Sequence, residues 1–308
     1  MNTDPPYQGD VIVAVPTRNR AATLANLLDD LAVQTDRSFY LVILNDGSDI
    51  ATRSEVRRPR HGLPPTQYLE SPVPLGLPRA RNTILNNLNS RRLPRRPVYL
   101  VWLDDDIRLD RKFIAMVRRY AAVCDGFCFR LQQEGPATTI DFTRWPSLHV
   151  FFQPLLGRFV PSLGLLFGGF YLRHRHPRRV THLNGGCLIY NLTRAHQHRF
   201  DERLNEGSAV GEDTCFSYGL HRAGFKLWHI GTYSYIHRPP ASGGCRVPPG
   251  AEAFYWYWKH KLYIIHRYHG RACTASALVC SGIESLLLSI ALGTNLLPSF
   301  WRATRSYE

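Results

Sequence analysis

Short unbroken apolar runs recur along the first two thirds of the chain, each giving way to a polar stretch. Residues 10–15 (DVIVAV), 39–44 (FYLVIL) and 98–103 (VYLVWL) predict strands buried on both faces of a sheet. Between the first two, Leu24, Leu27, Leu28 and Leu31 repeat at helical spacing, and Asn19 is placed to cap that helix. Strand, helix and strand make a βαβ unit with a right-handed crossover. Residues 75–82 (LGLPRARN) open a second helix that runs through Ile84, Leu85 and Leu88, and Phe113, Met116, Val117 and Tyr120 form the face of a third. Residues 182–190 (HLNGGCLIY) predict a Gly-Gly turn entering a strand. Phe216, Leu220 and Ala223 predict a helix stopped by Gly224, and residues 227–237 a last strand ended by Pro239 and Pro240. The predicted class is α/β, with a mixed, mostly parallel sheet.

The pattern changes from Gly243 onward. Residues 253–269 are rich in Tyr, Trp, His and Lys. Residues 272–297 form a long apolar run broken only by Glu284 and small polar residues. A carboxylate at the centre of a bilayer costs about 2.5–3.5 kcal/mol on an insertion scale. The run therefore predicts a helical hairpin that packs on the core or lies on a membrane. An earlier apolar stretch, residues 148–172, is interrupted by Pro154, Arg158, Pro161 and several glycines, which argues against a regular membrane-spanning helix. The basic residues 173–179 (RHRHPRR) follow directly, and apolar surface beside basic surface suits an anionic membrane interface. The expected organisation is a domain over residues 1–240, carrying an insertion at about 132–182, and a helical extension over 241–308.

Charge and cysteines narrow the class. The net charge of +14 favours an anionic partner without choosing among a phosphorylated ligand, a membrane and nucleic acid. The basic residues are scattered and carry no nucleic-acid-binding signature, so no nucleic-acid partner is expected. Seven cysteines, an odd number without framework spacing, predict free thiols, and Cys124 and Cys128 read as core residues. The first residues, MNTDPPYQGD, lack a signal peptide's basic start and apolar core. A cytoplasmic protein, peripheral on the inner face of the membrane, is the expectation.

The chemistry lies where the strands end. Asp104, Asp105 and Asp106 crowd the exit of the 98–103 strand, and like charges this close raise one another's pKa unless a cation sits among them. A divalent metal with oxygen ligands is the natural cation, and open α/β sheets bind ligands outside the carboxyl ends of their strands. Residues 45–49 (NDGSD) end the second strand, and taken alone they also fit a plain turn. Glu212 and Asp213 fall in the first turn of their helix, where the dipole favours negative charge.

Taken in order, VPTRNR, NDGSD, LGLPRARN, WLDDD, NGG and GED resemble the motifs of the family-2 glycosyltransferases, over residues 11–240. The flavour is closest to the galactofuranosyl and rhamnosyl branch. The resemblance implies a GT-A fold and inverting transfer from a UDP- or dTDP-sugar, with Mn²⁺ or Mg²⁺ as cofactor. It implies that Pro16, Thr17, Arg18 and Asn19 line the donor pocket and that Asp46 accepts a bond from N3 of uracil or thymine. Arg81 approaches the base or diphosphate, and Asp104 and Asp105 contact the donor. Asp104 and Asp106 hold the metal, joined by His237, which stands 24 residues past Asp213; His229 is the rival third ligand. Asp213 is the implied catalytic base. Trp102, Asn184, Gly185, Gly186 and Glu212 fall on the acceptor side, where glycines permit close approach of substrate. The acceptor expected from the apolar and basic segments is a lipid-linked or cell-envelope glycan.

Three other readings compete. A nucleotidyltransferase also needs carboxylates and metal, but no Gly-rich phosphate loop followed by Lys appears near the N-terminus. A basic nucleic-acid-binding protein rests on net charge alone. A catalytically dead sugar-binding relative is disfavoured because every expected acid is present.

Overall fold

The computed structural model describes residues 9–90, 98–134, 157–166, 168–207, 209–240 and 250–307. At its centre β1 (Val11–Thr17) pairs in parallel with β2 (Tyr40–Asp46) on one side and with β4 (Tyr99–Leu103) on the other. Beyond β2 lies β3 (Thr66–Ser71), also parallel. Beyond β4 come β10 (Cys187–Asn191), antiparallel to both neighbours, then β6 (Gly126–Gln133), β11 (Leu227–His237) and the two-residue β5 (Ile107–Arg108). A short β9 (Arg178–Val180) pairs with the opposite end of β11, and β7 (Phe159–Val160) with β8 (Leu165–Leu166) makes a separate hairpin.

Alternation along β1 builds two cores. Val11, Val13 and Val15 face one layer, made by α1 (Ala21–Ala32), α2 (Ile50–Arg57) and α4 (Phe113–Ala121). Ile12 and Ala14 face the other, made by α3 (Leu77–Asn89) and α5 (Glu212–Arg222). Both layers are needed because the central strands are apolar on both sides. The chain leaves β1 toward β2 and β3 in one direction and reaches β4 in the other. The order of the sheet therefore reverses between β1 and β4, which is where open α/β sheets place their ligands.

The expected strands and helices form, with differences at three places. Asn19 does not cap α1: the N-cap is Arg20, without a side-chain cap bond. Asn19 instead takes a positive φ of 54° and accepts a bond from Asp49 N–H (2.8 Å), tying the β1 loop to the β2 loop. β3 and β6 were not expected as strands. β3 is an edge strand with little apolar content, and β6 alternates Phe127, Phe129 and Leu131 with polar or small residues. Much of the 132–182 insertion, including most of the apolar 148–172 run, lies outside the described residues.

A C-terminal hairpin is present, but the 272–297 run expected to form it supplies only the second arm, and the aromatic segment before Gly270 forms the first. Helix α6 (Ala251–Leu292) is broken at Gly270, whose φ of 72° turns the chain back on itself. Its two arms meet through Glu284, which accepts bonds from Tyr257 Oη (3.1 Å) and Trp258 Nε1 (3.0 Å) and pairs with Lys261 Nζ. A final helix, α7 (Leu297–Thr304), packs Phe300 edge-on against Trp258. Among the described residues α6 is the single helix long and apolar enough to cross a membrane, by length and composition. The six described cysteines are free.

Candidate active site

The acids at the exit of β4 are divided among different partners. Asp105 turns inward, accepting from Thr17 Oγ1 and from Arg20 Nη1, both at 2.7 Å. Burial raises its carboxyl to about 6 against the pull of Arg20. The same guanidinium nitrogen reaches Asp106 Oδ2 at 3.1 Å. Asp105, expected on the donor, is instead committed to Thr17 and Arg20 and locks the end of β1 to the end of β4. Arg20 was missed in the sequence, where no periodicity separates it from Arg18; it offsets charge on two of the three acids.

Asp106 meets His237 because the chain after the acidic turn pairs with β11. Ile107 lies opposite His237 in the antiparallel β5–β11 ladder. That register sets His237 Nε2 3.2 Å from Asp106 Oδ1. His229, the rival, lies further along the strand, 2.8 Å from His174, and burial lowers its pKa to about 3. It is a buried imidazole remote in register from the acids, so of the two histidines His237 is the one beside them.

Asp104 is about a third exposed (32%) and is held at Oδ1 by Arg81 Nη2 at 3.2 Å. Burial pushes its pKa up, opposed by Arg81. Arg81 itself corrects an expectation. It cannot approach a base or diphosphate, because it is 0% exposed. It lies between Trp102 (5.6 Å) and Phe200 (5.1 Å), donates to Glu212 Oε1 (2.5 Å) and reaches Gly185 O (3.3 Å). Trp102, expected on the acceptor side, is likewise fully buried and serves as a face for this cation. Glu212 is 4% exposed and faces Arg81 rather than an acceptor. Burial raises it to about 8, Arg81 opposing and Asp213 adding like charge.

Asp213 stands at the start of α5 beside the Gly-Gly turn. Its Oδ2 accepts from Gly185 N–H and its Oδ1 from Thr214 N–H, both at 2.7 Å. Burial raises its pKa, and those two amides oppose the rise. The turn tolerates no larger residue at its first glycine: a Cβ at Gly185 would lie 2.9 Å from Asp213 Oδ2. Gly186 O accepts from Asp104 N–H (3.3 Å), and Asn184 Oδ1 accepts from Gly186 N–H and from Tyr235 Oη. One tight turn thus carries backbone bonds to both Asp104 and Asp213.

On the β1–β2 side, Thr17 is buried at the end of β1, Arg18 is half-buried and Asn19 is exposed. Pro16 lies in β1, in register with Leu44 of β2. Asp46 accepts from Leu75 N–H (2.6 Å) and Gly76 N–H (3.1 Å), fixing the loop that enters α3. A carboxylate has about four lone-pair sites, so this anchor can still accept a bond from a ligand.

The donor set suits a hard divalent cation. The 3.2 Å between Asp106 and His237 is a separation that two ligands of one ion can adopt, and Asp104 follows on the same turn. No group of three His, Cys, Asp or Glu is gathered for a metal among the described residues, and Asp104 Oδ1 is held by Arg81. A Mg²⁺-type site commonly takes one or two carboxylates and completes its sphere with water and substrate phosphates.

Comparison with known proteins agrees with this architecture. Among solved structures, TarS 1–349 of S. aureus in complex with UDP-GlcNAc superposes with a TM-score of 0.62 at 15% identity, over 97% of this chain and 80% of that one. The mannosyltransferase PcManGT of Pyrobaculum calidifontis, in complex with GDP-Man and Mn²⁺, gives 0.58 at 16%, over 99% and 88%. GalNAc-T7 with UDP, GalNAc and Mn²⁺ gives 0.55 at 15%, over 85% and 50%. No curated protein matches by sequence. These likenesses establish the GT-A-like fold. The model of glycosyl transferase family 2 matches residues 12–189, more than half of the 308, and spans β1, the three acids and the Gly-Gly turn; the chain belongs to that family.

Proposed function

We propose that this glycosyltransferase is inverting and metal-dependent, and that it moves a sugar from a UDP- or dTDP-sugar to a hydroxyl of a glycan or lipid-linked acceptor. The observation that carries the reading is the Gly185–Gly186 turn, which is bonded to Asp213 on one side and to Asp104 on the other. It places a candidate base and a candidate donor-holding acid at one locus.

Asp106, His237 and Asp104 are the residues that would hold Mn²⁺ or Mg²⁺. Such an ion, when bound, neutralises the diphosphate as it departs. Thr17, Arg18 and Asn19 border the donor side, and Asp46 is the candidate acceptor for a pyrimidine N–H. Asp213 takes the acceptor hydroxyl's proton. Its raised pKa improves it as a proton acceptor, and general-base help of this kind is worth about 10²–10⁴-fold. Inversion is favoured because the neighbouring acids are committed: Glu212 to Arg81, and Asp105 to Thr17 and Arg20. A double displacement would need a further carboxylate as nucleophile.

The test is a screen of UDP-, dTDP- and GDP-sugars with Mn²⁺, reading the released nucleotide. Release of UDP or dTDP supports transfer, whereas release of pyrophosphate from UTP or dTTP supplied with a sugar 1-phosphate would identify a nucleotidyltransferase. Asp213→Asn should lower turnover about 10²–10⁴-fold with nucleotide affinity nearly unchanged. Full activity in that variant would remove the base assignment.

A further inference from the structure

The second arm of α6 has two unlike faces. Its inner face is small and buried, with Thr274, Ala277, Ser281 and Ser285 at or below 1% exposure. It is pinned by Glu284 to the first arm and by Ser276 Oγ, which donates to Ser162 O at 2.6 Å. Its outer face carries Val279, Ile283, Leu286, Leu287 and Ile290, each between 49% and 72% exposed. These are five of the thirteen large apolar side chains exposed among the described residues, gathered on one helix face. Soluble monomers rarely leave a contiguous apolar patch of this kind uncovered.

We propose that this outer face is a docking surface for an anionic lipid bilayer, with the arm lying in the plane of the interface. Charge selects this occupant. Residues 271–307 contain Arg271, Arg302 and Arg305 against a single acid, Glu284, and that acid is turned into the hairpin. Arg302 is shared with Glu252, while Arg271, on the stripe's own helix, and Arg305, on α7, are exposed. Trp301 of α7 is 59% exposed, and its amphipathic ring suits the headgroup level. The whole chain carries +14, the sign an anionic leaflet attracts. The arm does not span the bilayer in this arrangement, because its inner face and Glu284 are already bonded to protein. An in-plane helix with one apolar face and basic flanks is the form that interfacial anchors take.

The surface is separate from the acids of the site, and it is tested without any assay of transfer. Its failure would leave the enzymatic reading standing, and the reverse holds. The full chain is floated with phosphatidylcholine vesicles and with vesicles of equal parts phosphatidylcholine and phosphatidylglycerol. Binding to the second and little to the first is expected, with binding weakened by salt. Ile283→Asp/Leu287→Asp should weaken binding roughly hundredfold. Arg271→Gln/Arg305→Gln should weaken it roughly thirtyfold. Both pairs are exposed, so unchanged melting temperatures would show intact folding. A wild-type chain that stays unbound with both vesicles would overturn the proposal, as would an aspartate variant that binds as the wild type does. Self-association that these aspartates abolish, without vesicle binding, would assign the face to a second copy and also overturn it.

Discussion

His237 Nε2 lies 3.2 Å from Asp106 Oδ1, brought there by the pairing of β5 with the end of β11. The two residues are far apart in sequence, and a two-residue strand makes them neighbours. If they share a metal, His237→Ala should lower Mn²⁺ affinity in the presence of UDP by roughly 10–100-fold or more. Titration calorimetry of Mn²⁺ into the UDP-saturated protein reads this directly. Chelation of the metal should abolish transfer, and added Mn²⁺ should restore it. Unaltered metal affinity in the histidine variant would separate the pair from metal binding.

Arg81 is the cation on which Asp104 and Glu212 both rely. Its replacement by Met leaves buried carboxylates uncompensated. Removing one partner of a buried pair costs about 3–5 kcal/mol, so a large fall in denaturant midpoint is expected. Adding Glu212→Gln should recover part of that loss. A double variant no more stable than the single one would show that Glu212 is not the uncompensated group.

Gly185→Ala probes the turn without touching an acid. The new Cβ would stand 2.9 Å from Asp213 Oδ2, too close for an undisturbed carboxylate. Steady-state kinetics should show kcat falling roughly 10²-fold while KM for the donor changes little, since small misplacements of a catalytic group are costly. Unchanged kcat would mean that Asp213 can move freely without loss.

Two buried histidines should oppose folding in mild acid. His182 and His229 are neutral in the folded protein, with burial lowering each pKa to about 3 from 6.5. In the unfolded chain both take up a proton as the pH drops below 6.5, while the folded chain does not. The unfolded state then binds more protons, so stability is lost progressively between these values. Glu212 and Asp105, raised by burial to about 8 and about 6, act in the opposite direction, so the histidine contribution is read by difference: the melting temperature of His182→Phe relative to the wild type should rise between pH 7 and pH 5.

The sequence displayed the ends of strands better than the orientation of helices. Apolar runs ending in Thr17, Asp46 and Asp104 located the ligand-binding edge, because a buried strand has little freedom in where it meets solvent. Arg81 was assigned to the donor by its charge, yet it shares the 81, 84, 85, 88 spacing with Ile84, Leu85 and Leu88, and that spacing marks it as inward-facing. Asp105 and Asp106 are adjacent in sequence and alike in type, and only the fold gives one to Thr17 and the other to His237. β6 carried a legible alternation, whereas β5 is too short to leave any pattern. Its pairing nonetheless decides which histidine reaches the acids.

The sandwiched guanidinium of Arg81 has an evolutionary consequence. Because it bonds to Asp104, Glu212 and the backbone of Gly185 at once, drift at one of these positions is felt at the others. Relatives that retool for a new sugar have more room at the solvent-exposed rim, around Arg18 and Asn19, than at this hub. Diversity in specificity should accumulate along the rim, while the hub changes only by compensated, paired substitutions.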